Sequence, residues 1–264
     1  MKFYDLNLKG NSYESDKELI LEANRLGWDY LNLLYPPDTY VEALKYKKEL
    51  MDELNNIVNN NSVNNNVANI NSANNNISNS SFHPIEIEFG VEINPKNQNE
   101  MEKISRKIRN TTKFIAVLGG DSGINRAVCE SQHIDVLSRP YLKQKSSCGI
   151  NQVLAKEAFR NDVAIELLFN DILSSYLSYR AKIMAHFREI IKLHQKFKFP
   201  LIISTGSSSI WDIRSPRDIS SVFLSLGLSE EEVNSCLHHY PKNIVEFNKE
   251  RENRVVLGVK KIDR

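Results

Sequence analysis

The sequence predicts an α/β fold, a TIM-like (β/α) barrel in one domain over residues 1–250. Three observations carry that expectation. Seven apolar or alternating runs of strand length recur along the 264 residues, and stretches of helical period separate nearly all of them. No G-x-G-x-x-G follows the first of these runs, as an open dinucleotide-binding sheet would require. At 41% hydrophobic and 25% charged residues, the chain can bury a core of barrel size.

Taken in order, the first strand is Phe3–Leu8, followed by a helix over Asp16–Leu26 with Ser15 as its N-cap and Gly27 as its stop. The strand Tyr30–Tyr35 leads to the helix Thr39–Asn55, and Ile85–Ile93 leads to Glu100–Asn110. Phe114–Leu118 pairs with the helix Asn125–Ser131, Ile134–Leu137 with Asn151–Asn161, and Val163–Leu168 with Ser178–Phe197. The seventh strand, Leu201–Ser204, precedes a helix over Ser215–Leu226 that carries Pro216 in its tolerant first turn and Gly227 just past its end. A last helix is expected over Ser229–Lys249. The count stops one short of eight. Residues 251–264 hold Val255-Val256-Leu257 but read mostly as a charged tail, so the barrel is expected to be incomplete or distorted at that end. Residues 55–81 are roughly half asparagine, a composition too poor in apolar surface to offset its ordering entropy, and are expected to form a disordered insert.

Charge and cysteine content exclude several classes. Thirty-four Lys and Arg against 33 Asp and Glu leave a net charge of +1, unlike a free-standing nucleic-acid binder. An RNA partner would therefore need the positive charge gathered on one face, or other subunits to share the contact. No apolar run approaches the roughly 20 residues that span a bilayer, and Met1-Lys2-Phe3-Tyr4-Asp5 lacks a signal-peptide core. A cytoplasmic location is expected. Three cysteines, Cys129, Cys148 and Cys236, without C-x-x-C spacing support neither a disulfide framework nor a zinc knuckle.

Two motifs invite catalysis and fail on context. Gly120-Asp121-Ser122-Gly123 matches the surroundings of a serine-protease nucleophile, but it ends a parallel strand and opens a helix, where a turn with an N-cap explains it. Metal-dependent barrels of the polymerase-and-histidinol-phosphatase (PHP) superfamily begin with D-x-H-x-H, and the corresponding run here is Asp5-Leu6-Asn7-Leu8-Lys9. Neither an amide nor an ammonium replaces an imidazole ligand. The six histidines, at positions 83, 133, 186, 194, 238 and 239, fall at no succession of strand ends, so no bound catalytic metal is expected.

The most informative segment is Ile202-Ile203-Ser204-Thr205-Gly206-Ser207-Ser208-Ser209-Ile210-Trp211-Asp212-Ile213-Arg214-Ser215-Pro216-Arg217-Asp218. A strand runs into small hydroxyl residues and then two arginines that open a helix, an arrangement whose backbone N–H groups and helix dipole favour phosphate. Loops after barrel strands share one face. Arg126, Arg139, Lys143, Lys145, Arg214 and Arg217 are thus expected to converge with Ser204, Gly206 and Ser207 into a positive, phosphate-binding mouth. The competing reading pairs Arg214 and Arg217 with Asp212 and Asp218 and leaves Lys143 and Lys145 solvated. Arg106-Lys107-Ile108-Arg109 with Lys113 reads as ordinary helix surface, as does the stretch bearing Arg180, Lys182, Arg188 and Lys192.

This segment resembles the component 3 family of archaeal ribonuclease P proteins, counterparts of the eukaryotic 30 kDa subunit. Other runs carry the resemblance in order: Phe3-Tyr4-Asp5-Leu6, Phe89-Gly90-Val91-Glu92-Ile93, Gly119-Gly120-Asp121 with Asn125-Arg126-Ala127, Asp135-Val136-Leu137-Ser138, and Ala164-Ile165-Glu166-Leu167. The resemblance implies a PHP-related barrel serving as a protein cofactor of a catalytic RNA that removes the 5′ leader of precursor tRNA. It implies no cofactor on the chain itself, the Mg²⁺ ions belonging to the RNA. As partners it implies ribonuclease P RNA, precursor tRNA and other protein subunits, especially a small α+β one. Two alternatives remain: a metal-dependent phosphoesterase of the PHP type, and a barrel enzyme using the Ser-rich loop for a phosphorylated metabolite.

Overall fold

The computed structural model of the protein describes residues 1–68, 83–251, 254–256 and 259–260. Seven strands, β1 (Tyr4–Lys9), β2 (Tyr30–Tyr35), β3 (Glu86–Ile93), β4 (Ile115–Leu118), β5 (Val136–Ser138), β6 (Ala164–Leu168) and β7 (Leu201–Ser204), lie in sequential order in one sheet. Every neighbouring pair is parallel. The crossovers are α1 (Tyr13–Arg25), α2 (Tyr40–Ala68), α3 (Gln98–Ile108), α4 (Ser122–Cys129), α5 (Gln152–Arg160), the short α6 (Phe169–Leu173) and α7 (Leu177–Phe197). After β7 come α8 (Pro216–Leu226), α9 (Glu230–Asn234) and α10 (Tyr240–Lys249). The fold is a TIM-like barrel, nearly closed.

Alternation along the strands divides the core in two. Tyr4, Leu6, Tyr30, Phe114, Ala116 and Val136 belong to an inner cluster that also takes Val245 from α10. Leu31, Leu33, Val91, Ile165, Leu201 and Ile203 face the helices in the larger outer cluster. The eighth staving position holds no strand among the described residues. At the carboxyl end of the barrel β1 and β7 meet directly, with Lys9 N–H donating to Ser207 O at 2.8 Å and Gly206 N–H to Asn7 O at 3.0 Å. At the other end α10 wedges the gap, with Tyr240 and Ile244 packed on the inner cluster. The tail instead forms a separate antiparallel pair, β8 (Arg254–Val256) with β9 (Val259–Lys260).

Several expectations need correction. The first helix begins at Tyr13, with Ser12 rather than Ser15 at its N-cap position. Helix α2 runs on to Ala68, so the insert expected over 55–81 is helical through its first part, while 69–82 lies outside the described residues. Leu50 and Leu54 are buried and Ile57 continues their spacing, which carries the apolar stripe past Asn55. The last helix is interrupted over Ser235–His239 by a π turn. Pro241 cannot donate to the carbonyl four residues back and its ring crowds that carbonyl, so the helix widens there. The Gly120–Gly123 turn is as expected: the Asp121 carboxylate accepts from Gly123 N–H at 2.8 Å and Ile124 N–H at 3.0 Å. All three cysteines are buried and free. No described helix is long and apolar enough to cross a membrane.

Candidate nucleic-acid interface

The carboxyl ends of the strands carry a polar layer above the apolar interior. Asn7 on β1 donates through Nδ2 to Glu166 Oε2 on β6 at 2.7 Å, and Ser204 Oγ on β7 donates to Glu166 Oε1 at 2.7 Å. Glu166 is fully buried, and that burial raises its carboxyl above the ordinary range against the pull of its donors. Lys9 Nζ reaches Glu92 Oε1 at 2.6 Å, both side chains largely shielded. Asp5 sits at the seam: its carboxylate accepts from Thr205 Oγ1 at 2.5 Å, Asn7 N–H at 3.1 Å and Thr205 N–H at 3.2 Å. Burial outweighs these donors and pushes its pKa up to about 6. Among the described residues no three His, Cys, Asp or Glu side chains are placed to hold a metal ion.

Around this layer the loops after β4, β5, β6 and β7 are tied into one rim. Gln144 Nε2 donates to Gly120 O at 2.7 Å, and Asn125 Nδ2 donates to both Pro140 O and Gly149 O. Arg139 grips Asp171 on α6 through Nε at 2.8 Å and Nη2 at 2.5 Å, and Tyr141 Oη donates to the same carboxylate at 2.6 Å. Asn170 Nδ2 then reaches Asp212 Oδ2 at 3.4 Å.

The candidate residues divide on this rim. Lys143 and Lys145 are exposed on the β5 loop, Lys143 in the left-handed region at φ +59°. Arg126 is exposed and holds Glu130 one turn along α4 at 2.8 Å. Arg217 is exposed in the first turn of α8. Arg139, by contrast, belongs to the ion pair with Asp171, whose side chains are 27% and 9% exposed. Arg214 turns back onto its own loop, its Nη1 donating to Trp211 O at 3.0 Å and Ile213 O at 2.6 Å. It does not pair with Asp212 or Asp218.

The backbone cradle expected at Ser204, Gly206 and Ser207 is filled from within, and all three residues are buried. Gly206 N–H goes to Asn7 O, Ser207 N–H to Thr205 Oγ1 at 3.2 Å, and Ser208 and Ser209 N–H to the Asp212 carboxylate at 3.2 and 3.0 Å. The loop's donors therefore hold a carboxylate of the same chain. Sequence reasoning also passed over the apolar side chains on this rim: Tyr176, Leu177 and Tyr179 after β6 and Trp211 after β7 are 76%, 90%, 55% and 82% exposed. Their signal was a Tyr-Leu pair and a lone Trp set in hydroxyl-rich loops.

Residues 2–253 match the family model described as RNase P subunit p30. The chain belongs to the ribonuclease P p30 family. Within that family it is 36% identical to ribonuclease P protein component 3 of Methanothermobacter thermautotrophicus, over 98% of this chain and 95% of that one. It is 42% identical to component 3 of Methanococcus maripaludis over 52% of this chain and 59% of the relative. Among solved structures, a chain of archaeal ribonuclease P with mature tRNA superposes at a TM-score of 0.74 and 25% identity, covering 99% of this chain and 98% of its own. The protein is thus a ribonuclease P subunit. A Xaa-Pro dipeptidase superposes at a TM-score of 0.59 with 6% identity, over 94% of this chain and 76% of its own, a likeness of barrel fold alone.

Proposed function

We propose that the chain is a non-catalytic, cytoplasmic protein subunit supporting RNA-catalysed removal of the 5′ leader from precursor tRNA, with the Mg²⁺ ions held by the RNA. The observation that carries this reading is what the inward positions of β1 do. Asn7 spends its amide on Glu166, and Lys9 places an ammonium 2.6 Å from Glu92, where a metallohydrolase barrel would offer imidazoles to a divalent cation. Arg126, Lys143, Lys145 and Arg217, exposed on the rim, are suited to hold backbone phosphates and so to position a folded RNA without reading bases. Arg139 and Arg214 hold the rim in shape. The exposed Tyr176, Leu177, Tyr179 and Trp211 provide apolar area for unpaired bases or for a small α+β partner subunit.

Reconstitution tests the reading. Precursor-tRNA cleavage by ribonuclease P RNA and the remaining subunits is measured with and without this chain, beside phosphodiesterase assays of the chain alone over Mn²⁺, Zn²⁺ and Mg²⁺. Faster cleavage with the chain and no metal-dependent hydrolysis by it alone is the expected result. Stoichiometric metal and turnover by the isolated chain would make it a PHP-type phosphoesterase.

A further inference from the structure

The turn joining α6 to α7 is braced so that it holds apolar side chains away from the core. Ser175 Oγ donates to Asp171 O across the turn, and Arg180 Nε donates to Ser175 O at 2.7 Å with its guanidinium over the Tyr176 ring at 5.9 Å. Leu177, at φ +45°, stands in the left-handed region that a bulky side chain seldom enters, and it is the most exposed of the large apolar residues described. Its neighbours share this habit. Among the described residues five non-glycine positions have positive φ, and three of them, Arg139, Lys143 and Leu177, fall in this turn and in the β5 loop beside it. Backbone held against its preference collects where a surface is shaped for a ligand.

The β5 loop packs on the same helix. The Tyr141 ring meets Phe187 edge-on at 4.9 Å, Tyr141 Oη holds Asp171, and His186 reaches the backbone of Gln144. Lys143 and Lys145 flank Gln144, and Tyr179 lies two turns nearer the helix start than His186, about 10 Å along the same face. The two lysines are exposed and neither is paired with a carboxylate. From Arg139 to Val153 the chain has no acidic residue, and from Asp171 to Arg188 it has only Asp171, which Arg139 and Tyr141 already hold. Aromatic rings thus stand beside ammonium groups that no carboxylate answers. That combination matches a polyanion with flat apolar faces, whose phosphates meet the cations and whose bases meet the rings. We propose that Tyr176, Leu177 and Tyr179 form a stacking platform for unpaired bases of an RNA strand whose backbone passes Lys143 and Lys145. The proposal rests on the reading of this rim as the RNA-facing one, and adds that the RNA here is single-stranded, since paired bases bury the faces that the rings need.

The test titrates the full-length chain into a labelled oligoadenylate of about ten nucleotides, alone or annealed to its complement, and follows fluorescence anisotropy at low salt. Saturable binding of the single strand is expected. Tyr176→Ala with Tyr179→Ala weakens it by about tenfold or more, the loss of stacking at both rings, while duplex binding and melting temperature stay as they were. Tyr176→Phe with Tyr179→Phe keeps both rings and restores the affinity. Absence of saturable single-strand binding by the unaltered chain, or equal binding by the alanine pair, overturns the proposal. Lys143→Ala with Lys145→Ala, assayed on the assembled particle, separates that failure from failure of the rim reading. If the lysine pair lowers the slope of log affinity against log salt by about 1.4–1.8 while the alanine pair changes nothing, the platform is overturned and the rim still meets RNA phosphates. If neither pair changes RNA binding, both readings fall. An alanine pair that keeps oligoadenylate binding but sheds a protein subunit from the particle overturns the proposal in favour of a protein contact.

Discussion

Replacing Asp5 by Asn should change how the stability of the protein responds to acid. Asp5 is wholly buried at the β1–β7 seam, and burial lifts its pKa from 3.8 to about 6 in spite of three donors. In the unfolded chain the carboxyl loses its proton near 3.8, while the folded protein keeps it to about 6. Between these values the unfolded state binds fewer protons, so stability declines as pH rises. The contribution is complete below the unfolded value and gone above the folded one. A displacement of about two units corresponds to about 3 kcal/mol. Asn has nearly the same shape, cannot ionise, and keeps an oxygen for Asn7 N–H. Denaturant unfolding of both proteins across this window gives the measurement: the unaltered protein's stability relative to Asp5→Asn should fall by about 3 kcal/mol as pH rises from below 4 to above 6. A difference that stays constant over that range would show that Asp5 ionises in place without cost, and would refute the account of the seam.

Arg139→Ala should cost stability near the lower end of the about 3–5 kcal/mol seen when a buried pair loses one partner, because Asp171 is left with Tyr141; an unchanged melting temperature would return Arg139 to the set of free RNA contacts. The combined Arg217→Ala, Lys143→Ala and Lys145→Ala protein should melt as the unaltered one does, while its salt slope for RNA binding falls by roughly 2–2.7, the loss of three phosphate contacts; an unaltered slope would move the RNA-facing surface elsewhere. Arg214→Ala should act oppositely, loosening the Trp211–Ile213 loop by about 1–2 kcal/mol with the salt slope kept, as melting and binding measured together would reveal.

The strands were legible because their inward and outward residues are both apolar over most of their length, as buried parallel strands demand. Tyr30–Tyr35 and Leu201–Ser204 coincide with β2 and β7 to the residue. The candidate site was legible as a location and misread in its wiring. The sequence displays Ser204, Gly206, Ser207 and two arginines as an anion cradle, but whether the loop's donors await a ligand depends on Asn7 and Thr205 taking those of Gly206 and Ser207 and on Asp212 folding back over the next two, Ser208 and Ser209. Spacing shows that a carboxylate is near and not where it points. Arg109 and Asn248 are 139 residues apart and meet only through barrel closure, so no local pattern could have joined them. The same holds for Arg139, whose charge marks it for RNA while Asp171, 32 residues on, claims it.

The seam has a consequence for synthesis. Asp5 and Thr205 are joined across 200 positions of the chain, and β1 has no neighbour on that side until β7 and α10 exist. While the ribosome adds those residues, β2 can cover one edge of β1, but the other remains a row of bare amides and carbonyls open to any passing strand. The barrel is therefore sealed last by its two ends. Chains truncated before Leu201 should leave the ribosome with an adhesive first strand, and loss of the final helices should be read as aggregation before it is read as loss of activity.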